Sequence, residues 1–267
     1  MDREAVVAGQ FYPDSEGALE KQIKGFIDEE AEKEEVLGVV SPHAGYIYSG
    51  KVAGAVYSRI RPAETFILLG PNHTGRGRPF SIMTAGRWKT PLGSVEVDSD
   101  MAGEIFSGSR HLEEDEKAHR YEHSLEVQLP FLQYLKKDFH FVPIVLSQGN
   151  LGIYRDIGKA IARAVNSQGR KTIIIASSDM THYESGKSAE KKDKEAIKAI
   201  LDLNEEQLLE KVRELDISMC GYAPVATTLA ACKELGAKEA ELIQYMTSGD
   251  VSGDYSAVVG YAGIIIR

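Results

Sequence analysis

Cysteine is scarce: Cys220 and Cys232 are the only two in 267 residues. Two cannot build a disulfide framework, so a reducing compartment and a cytoplasmic location are expected. No apolar run approaches the roughly 18 residues that a spanning helix needs. The opening MDREAVVAGQ has no apolar core of the kind a secretory leader carries, so none is expected. Basic residues are outnumbered, 31 against 40 acidic, for a net charge of −9. A surface of that sign repels phosphate backbones and anionic lipid, which argues against nucleic acid and membranes as partners. Neither GxxxxGK[ST] nor GxGxxG occurs, so Gly70 and Gly75 form no phosphate loop. No Pro/Ser/Gly-rich linker and no internal repeat divides the chain, and a single domain over residues 1–267 is expected.

What the sequence does contain is globular: 43% hydrophobic and 27% charged residues. Four continuous apolar runs, at 36–41, 65–70, 141–146 and 171–177, read as strands covered on both faces, as in parallel sheets. Helical spacing predicts helices over 15–33, 50–60, 151–165, 186–202, 204–214 and 223–235. A further stripe, Leu125, Leu129, Leu132 and Leu135, predicts a helix over 122–136 kinked at Pro130. Strands are expected at 240–247 and 256–266 around a Gly/Asp turn, and a β-rich excursion at 80–98. This alternation predicts an α/β fold, a largely parallel central sheet flanked by helices.

Three polar clusters begin where an apolar run ends: Pro42-His43-Ala44-Gly45-Tyr46, Pro71-Asn72-His73-Thr74-Gly75 and Asp179-Met180-Thr181-His182-Tyr183. In open α/β sheets the carboxyl ends of the strands border the ligand crevice, so these histidines are expected to converge. Singly, a histidine after a strand is more often a hydrogen-bonded loop residue than a ligand; the coincidence of three is what carries weight. Cys220 precedes the helix expected from residue 223, where a helix N-terminus favours thiolate, a nucleophile or metal ligand. Taken alone, Cys220 reads first as a small buried hydrophobe, since free cysteine is among the most buried residue types, and Cys232 reads as core. Asp179 and His182, three apart, would share a face of a helical turn, a carboxylate orienting an imidazole for proton transfer; a turn cap beside an exposed histidine stands as an equal reading. His123 projects into the site or opens a helix that Glu122, Ser124 and Glu126 cap. His111, His119 and His140 read as solvated or structural, Glu113 to Glu116 as a solvated loop, and residues 249–255 as a turn.

Eight ordered blocks then carry a resemblance: AGQFYP (8–13), PHAGYIYSG (42–50), GPNHTG (70–75), TPLG (90–93), EHSLEVQLPFLQ (122–133), SSDMTHY (177–183), CGYAPV (220–225) and GDVSGDYSAVVGYA (249–262). Together they resemble the Memo family across essentially the whole chain. The resemblance implies a fold similar to class III extradiol dioxygenases, which are non-haem iron enzymes. It matches His43, His73 and Cys220 to metal-ligand positions, and His182, with Asp179 beside it, to the acid/base position. The dioxygenases carry a carboxylate where this chain has Cys220. The eukaryotic branch is associated with cell motility and phosphotyrosine-bearing receptor segments, so a phosphotyrosine-like peptide or small aromatic group enters as a candidate ligand.

A thiolate in place of a carboxylate keeps the ligand charge at −1 but shifts metal preference towards Zn(II) and Cu(I) without excluding Fe(II). It also offers oxygen a competing target. The expected cofactor is a divalent metal, Fe(II) first, with Cu or Zn as alternatives. Tyr46, Tyr48, Asn72 and His123 are expected to line the mouth, a wall suited to a phenolic ligand or to ordinary packing. Three functions follow: a non-haem iron or copper redox enzyme, a vestigial cleft that binds a peptide or small aromatic ligand, and a zinc hydrolase, the last without an H-E-x-x-H helix. Histidine ligation implies metal affinity that falls as pH drops through about 6.5.

Overall fold

Uninterrupted apolar strands can be buried on both faces only if helices cover the sheet on each side, and that is what the computed structural model, which describes residues 2–267, contains. The chain opens with β1 (Asp2–Arg3), α1 (Glu16–Lys24), β2 (Gly38–Ser41), α2 (Tyr46–Arg59) and β3 (Thr65–Pro71). The β-rich excursion follows as β4 (Phe80–Ile82), β5 (Arg87–Thr90) and β6 (Gly93–Val97), then α3 (Ser99–Gly108) and β7 (Glu113–Glu114). A 3-10 turn at Glu126–Gln128 runs into α4 (Leu129–Leu135), followed by β8 (His140–Leu146), α5 (Leu151–Gln168), β9 (Thr172–Ser177) and β10 (His182–Glu184). The last part holds α6 (Gly186–Leu201), α7 (Glu205–Glu214), α8 (Tyr222–Glu234), β11 (Ala240–Thr247), α9 (Gly249–Ser252) and β12 (Val258–Ile266).

The sheet runs β1-β5-β6-β8-β3-β9-β2-β12-β10, with β11 also on β12, and β4 on β8 and β7. Its centre is parallel: β6, β8, β3, β9 and β2 share one direction, in register from Thr65↔Thr172 on one side of β9 to Ser41↔Ser177 on the other. β12 closes one side antiparallel to β2. The connection β2–α2–β3 crosses the sheet one way, and β8–α5–β9 crosses it the other way. Right-handed crossovers of opposite direction put α2 and α5 on opposite faces. Accordingly α2 packs on β2, β11 and β12, while α5 packs on α8, which covers β9 and β3.

Several boundaries differ from the sequence reading. The first helix ends at Lys24 rather than 33, because the acidic stretch beyond Ile27 offers no apolar face to bury. α2 begins at Tyr46, with Gly45 as its N-cap, four residues before its expected start. The expected helix over 122–136 is a loop, a 3-10 turn and the short α4; Pro130 sits in its first turn, where its missing N–H is not needed, and makes no kink. α3 was not expected, although Asp98 caps it by accepting from the Met101 amide at 3.1 Å. Asp179 and His182 share no helical turn, since His182 opens β10. A one-turn helix, α9, occupies part of the expected Gly/Asp turn. No helix among the described residues is long and apolar enough to cross a membrane.

One long-range staple matters for the site. Arg3 is buried and donates to the His119 carbonyl (2.8 Å), the Glu122 carbonyl (2.6 Å) and the Glu126 carboxylate (2.7 Å). Its guanidinium lies 4.1 Å from the Trp88 ring centre. Glu126 also accepts from the Val6 and Val7 amides and from the Tyr12 hydroxyl (2.6 Å). A buried ion pair is tolerable when its remaining donors and acceptors are matched, as these are. The staple fixes the 119–128 segment against the N-terminus.

Candidate metal centre

β3, β9 and β2 lie side by side and end together, each giving way to a polar turn. His73, Asp179 and His43 stand at matching positions just beyond the three strand ends, which is why residues far apart in sequence meet. The central turn ties to its neighbour: Asp179 Oδ1 accepts the His43 amide at 2.8 Å. Glu122 holds the other flank, accepting both the His73 amide (2.7 Å) and His73 Nδ1–H (2.9 Å). His123, next along, stacks on His73 with ring centres 4.7 Å apart. His43 lies 5.1 Å from the His73 ring and 5.6 Å from that of His123. One nitrogen from each of these three imidazoles falls within 4.8 Å of the others, so the group could hold a metal ion.

Cys220, partly buried, arrives from the segment between α7 and α8 and sets Sγ 3.2 Å from His43 Nε2. Two glycines permit these approaches. A Cβ on Gly70 would stand 2.5 Å from Ser124 Oγ, and one on Gly221 would stand 2.4 Å from Ser178 Cβ. The first lets the segment bearing His123 close on the end of β3, and the second lets the one bearing Cys220 close on the end of β9. His182 is tied to the same segment: its amide donates to Ser218 Oγ (2.7 Å) and its Nδ1–H to the Ser218 carbonyl (2.9 Å). Register slips between His182 and Glu184, with Tyr183 at φ 59° between them. A bulge of this kind re-aims the side chain beside it.

The expected mouth residues divide. Tyr46 is buried, donates to the Val127 carbonyl (2.6 Å) and packs on Phe131. Tyr48 is 40% exposed. Asn72 lines a cavity of about 620 Å³ together with His73, Ser147, Gln148, Ser218 and Cys220. Sequence reasoning gave Glu122 only a capping role and assigned nothing to Ser177, which lies directly behind His43, or to Gln128 behind Ser177. The signal for Glu122 was its place beside His123.

Electrostatics separate these groups. Burial, and then repulsion from His73, His123 and His182, push the His43 pKa well below the usual imidazole range. Burial also lowers His123, with Glu122 opposing. Burial lifts Asp179 to about 6, against the amide of His43 and the charge of His182. For Glu122 burial works upward, yet the His73 hydrogen bond and the charges of His73 and His123 bring it down to about 2. Cys220 departs from expectation: burial, reinforced by the Asp179 charge, raises its thiol well above the usual range. Desolvation outweighs the helix N-terminus here, and the metal-free thiol keeps its proton.

The chain matches the family model described as Memo-like protein over residues 3–265. It is 48% identical to a MEMO1 family protein of Methanosarcina barkeri, covering 99% of this chain and 100% of that one. Identity is 46% to one from Methanopyrus kandleri (100% and 99%) and 44% to one from Nitrosopumilus maritimus (99% of each). Among solved structures, an uncharacterized protein of Escherichia coli K12 superimposes with a TM-score of 0.55 over 85% of this chain and 98% of its own. At 11% identity that likeness shows the fold alone. The chain belongs to the Memo family.

Proposed function

We propose that this chain is a metal-dependent redox enzyme in which His43, His73 and Cys220 hold one divalent ion and His182 moves a proton. The observation that carries the reading is the gathering of imidazole nitrogens within 4.8 Å, with a sulfur 3.2 Å from one of them. Donors on a tetrahedral ion, with bonds of about 2.0–2.3 Å, stand roughly 3.4–3.6 Å apart. Closing the three imidazoles onto an ion therefore takes shifts of about an ångström. The donors are also of the right kind: imidazoles, and a thiol that a coordinated cation would deprotonate. His123, stacked on His73, stands close enough to occupy a fourth position.

When bound, iron or copper would supply one-electron redox chemistry. The residues supply the rest. The cavity beside His73 and Cys220 offers amides and hydroxyls from Asn72, Gln148 and Ser218, and no carboxylate or ammonium. That lining suits a small phenolic or hydroxylated ligand. His182 gives its Nδ1–H to the Ser218 carbonyl, which leaves Nε2 as the atom that accepts a ligand proton.

The test is elemental analysis of protein purified without oxygen. About one equivalent of iron or copper is expected in the wild type, with strong loss in folded His43→Ala, His73→Ala and Cys220→Ser. Stoichiometric metal in all three variants would refute the site, and zinc alone would favour hydrolysis over redox chemistry.

A further inference from the structure

A histidine can give a metal only the nitrogen that carries no proton, so something must decide which nitrogen of His43 is bare. Behind the ring, on the side away from Cys220, lies a buried chain of hydrogen bonds: His43 Nδ1 to Ser177 Oγ (2.9 Å), Ser177 Oγ to Gln128 Nε2 (2.8 Å), and Gln128 Oε1 to the Tyr57 hydroxyl (2.7 Å). Each bond alone is ambiguous in direction. Two main-chain carbonyls remove the ambiguity, because a carbonyl can only accept.

Gln128 Nε2 stands 3.0 Å from the Pro42 carbonyl. A flipped amide would put two oxygens face to face there, so the NH₂ faces Pro42 and Ser177, and Oε1 accepts from Tyr57. Ser177 Oγ thus accepts a hydrogen bond from Gln128. Its own single proton goes to the Ser124 carbonyl at 2.7 Å. Turning that proton to His43 would take the donor from a buried carbonyl. Towards His43 the hydroxyl is left with lone pairs only, so His43 Nδ1 must be the donor.

We infer that Ser177, oriented by Gln128 and the Ser124 carbonyl, is a positioning residue that holds His43 as the Nδ1–H tautomer and leaves Nε2 bare towards Cys220. The inference rests on the metal-site reading for its purpose, but the tautomer itself is a property of the metal-free protein. Two neighbours follow the same pattern. Glu122 accepts from Nδ1 of His73, and the Ser218 carbonyl accepts from Nδ1 of His182. His43 differs in that its acceptor is a hydroxyl, which could have pointed either way. Across from it, Cys220 Sγ lies 3.2 Å from Nε2 and donates towards the Asp179 carbonyl at 3.6 Å.

The experiment is a long-range proton–nitrogen correlation spectrum of the imidazoles in chelator-treated, nitrogen-15-labelled protein at about pH 8, where free imidazole is neutral. The His43 signals are assigned from their absence in His43→Gln. Wild type should show His43 purely as Nδ1–H; Ser177→Ala should show a mixture containing Nε2–H, and Ser177→Thr should restore the single form. An Nε2–H signal in the wild type would overturn the inference without any variant. A pure Nδ1–H form in folded Ser177→Ala would take the role from the hydroxyl. If the metal reading also holds, zinc affinity should fall about 10- to 100-fold in Ser177→Ala. An altered tautomer with unchanged zinc affinity would uphold the positioning role and count against the metal site instead.

Discussion

Free imidazole keeps a proton up to about pH 6.5 and free thiol up to about pH 8.5, and the folded chain drives these two values apart. His43 is pushed down by burial and by three neighbouring imidazoles; Cys220 is pushed up by burial and Asp179. A metal ion arriving at neutral pH therefore meets a bare His43 nitrogen and a protonated sulfur. The binding form of sulfur is the thiolate, and its pKa is raised, so affinity climbs as pH rises through the neutral and alkaline range. One proton released per ion corresponds to about tenfold per pH unit. The break near 6.5 that histidine ligation implies is not expected from His43. Cobalt titrations between about pH 7 and 9 should show this slope in the wild type and a flat line in Cys220→Ser. A flat wild-type profile would contradict the assignment of sulfur as a ligand. Sequence spacing placed Cys220 near a helix start but carried no information on how deeply the thiol would be desolvated.

Strand ends were readable because 65–70 and 171–177 are continuous apolar runs, and such runs stop where the sheet stops. The segment bearing His123 was not, because its leucine stripe has helical spacing while Glu122 and Glu126 are drawn away into buried contacts with His73 and Arg3. Tertiary bonds to partners over a hundred residues away, as from Arg3 to Glu126, leave no local pattern. The close approach of that segment to β3 depends on Gly70, where a methyl group would meet Ser124 Oγ at 2.5 Å and Leu125 Cδ2 at 2.7 Å. Gly70→Ala should cost about 1–3 kcal/mol through overpacking and should weaken metal binding by displacing Glu122 and His123 from His73. Urea unfolding compared with the wild type checks the first effect. Unchanged stability would show that the segment yields without strain.

Across the whole molecule, two crossovers running in opposite directions bring β3, β9 and β2 together, and their shared end is where an α/β sheet binds its ligand. The α/β class and the meeting of His43 and His73 near Cys220 were legible, since both rest on runs and turns that local sequence encodes, but the third imidazole of the cluster is His123 and not the strand-end His182. Strand order was not, and with it went the identity of the groups behind the site. Ser177 meets His43 only because β9 lies beside β2. An anomalous-difference map from metal-loaded crystals, recorded at the absorption edge of the bound element, tests the central claim most directly. It should show one peak about 2.0–2.3 Å from His43 Nε2, His73 Nε2 and Cys220 Sγ. A strong peak elsewhere, or none at these strand ends in crystals grown with excess metal, would contradict it.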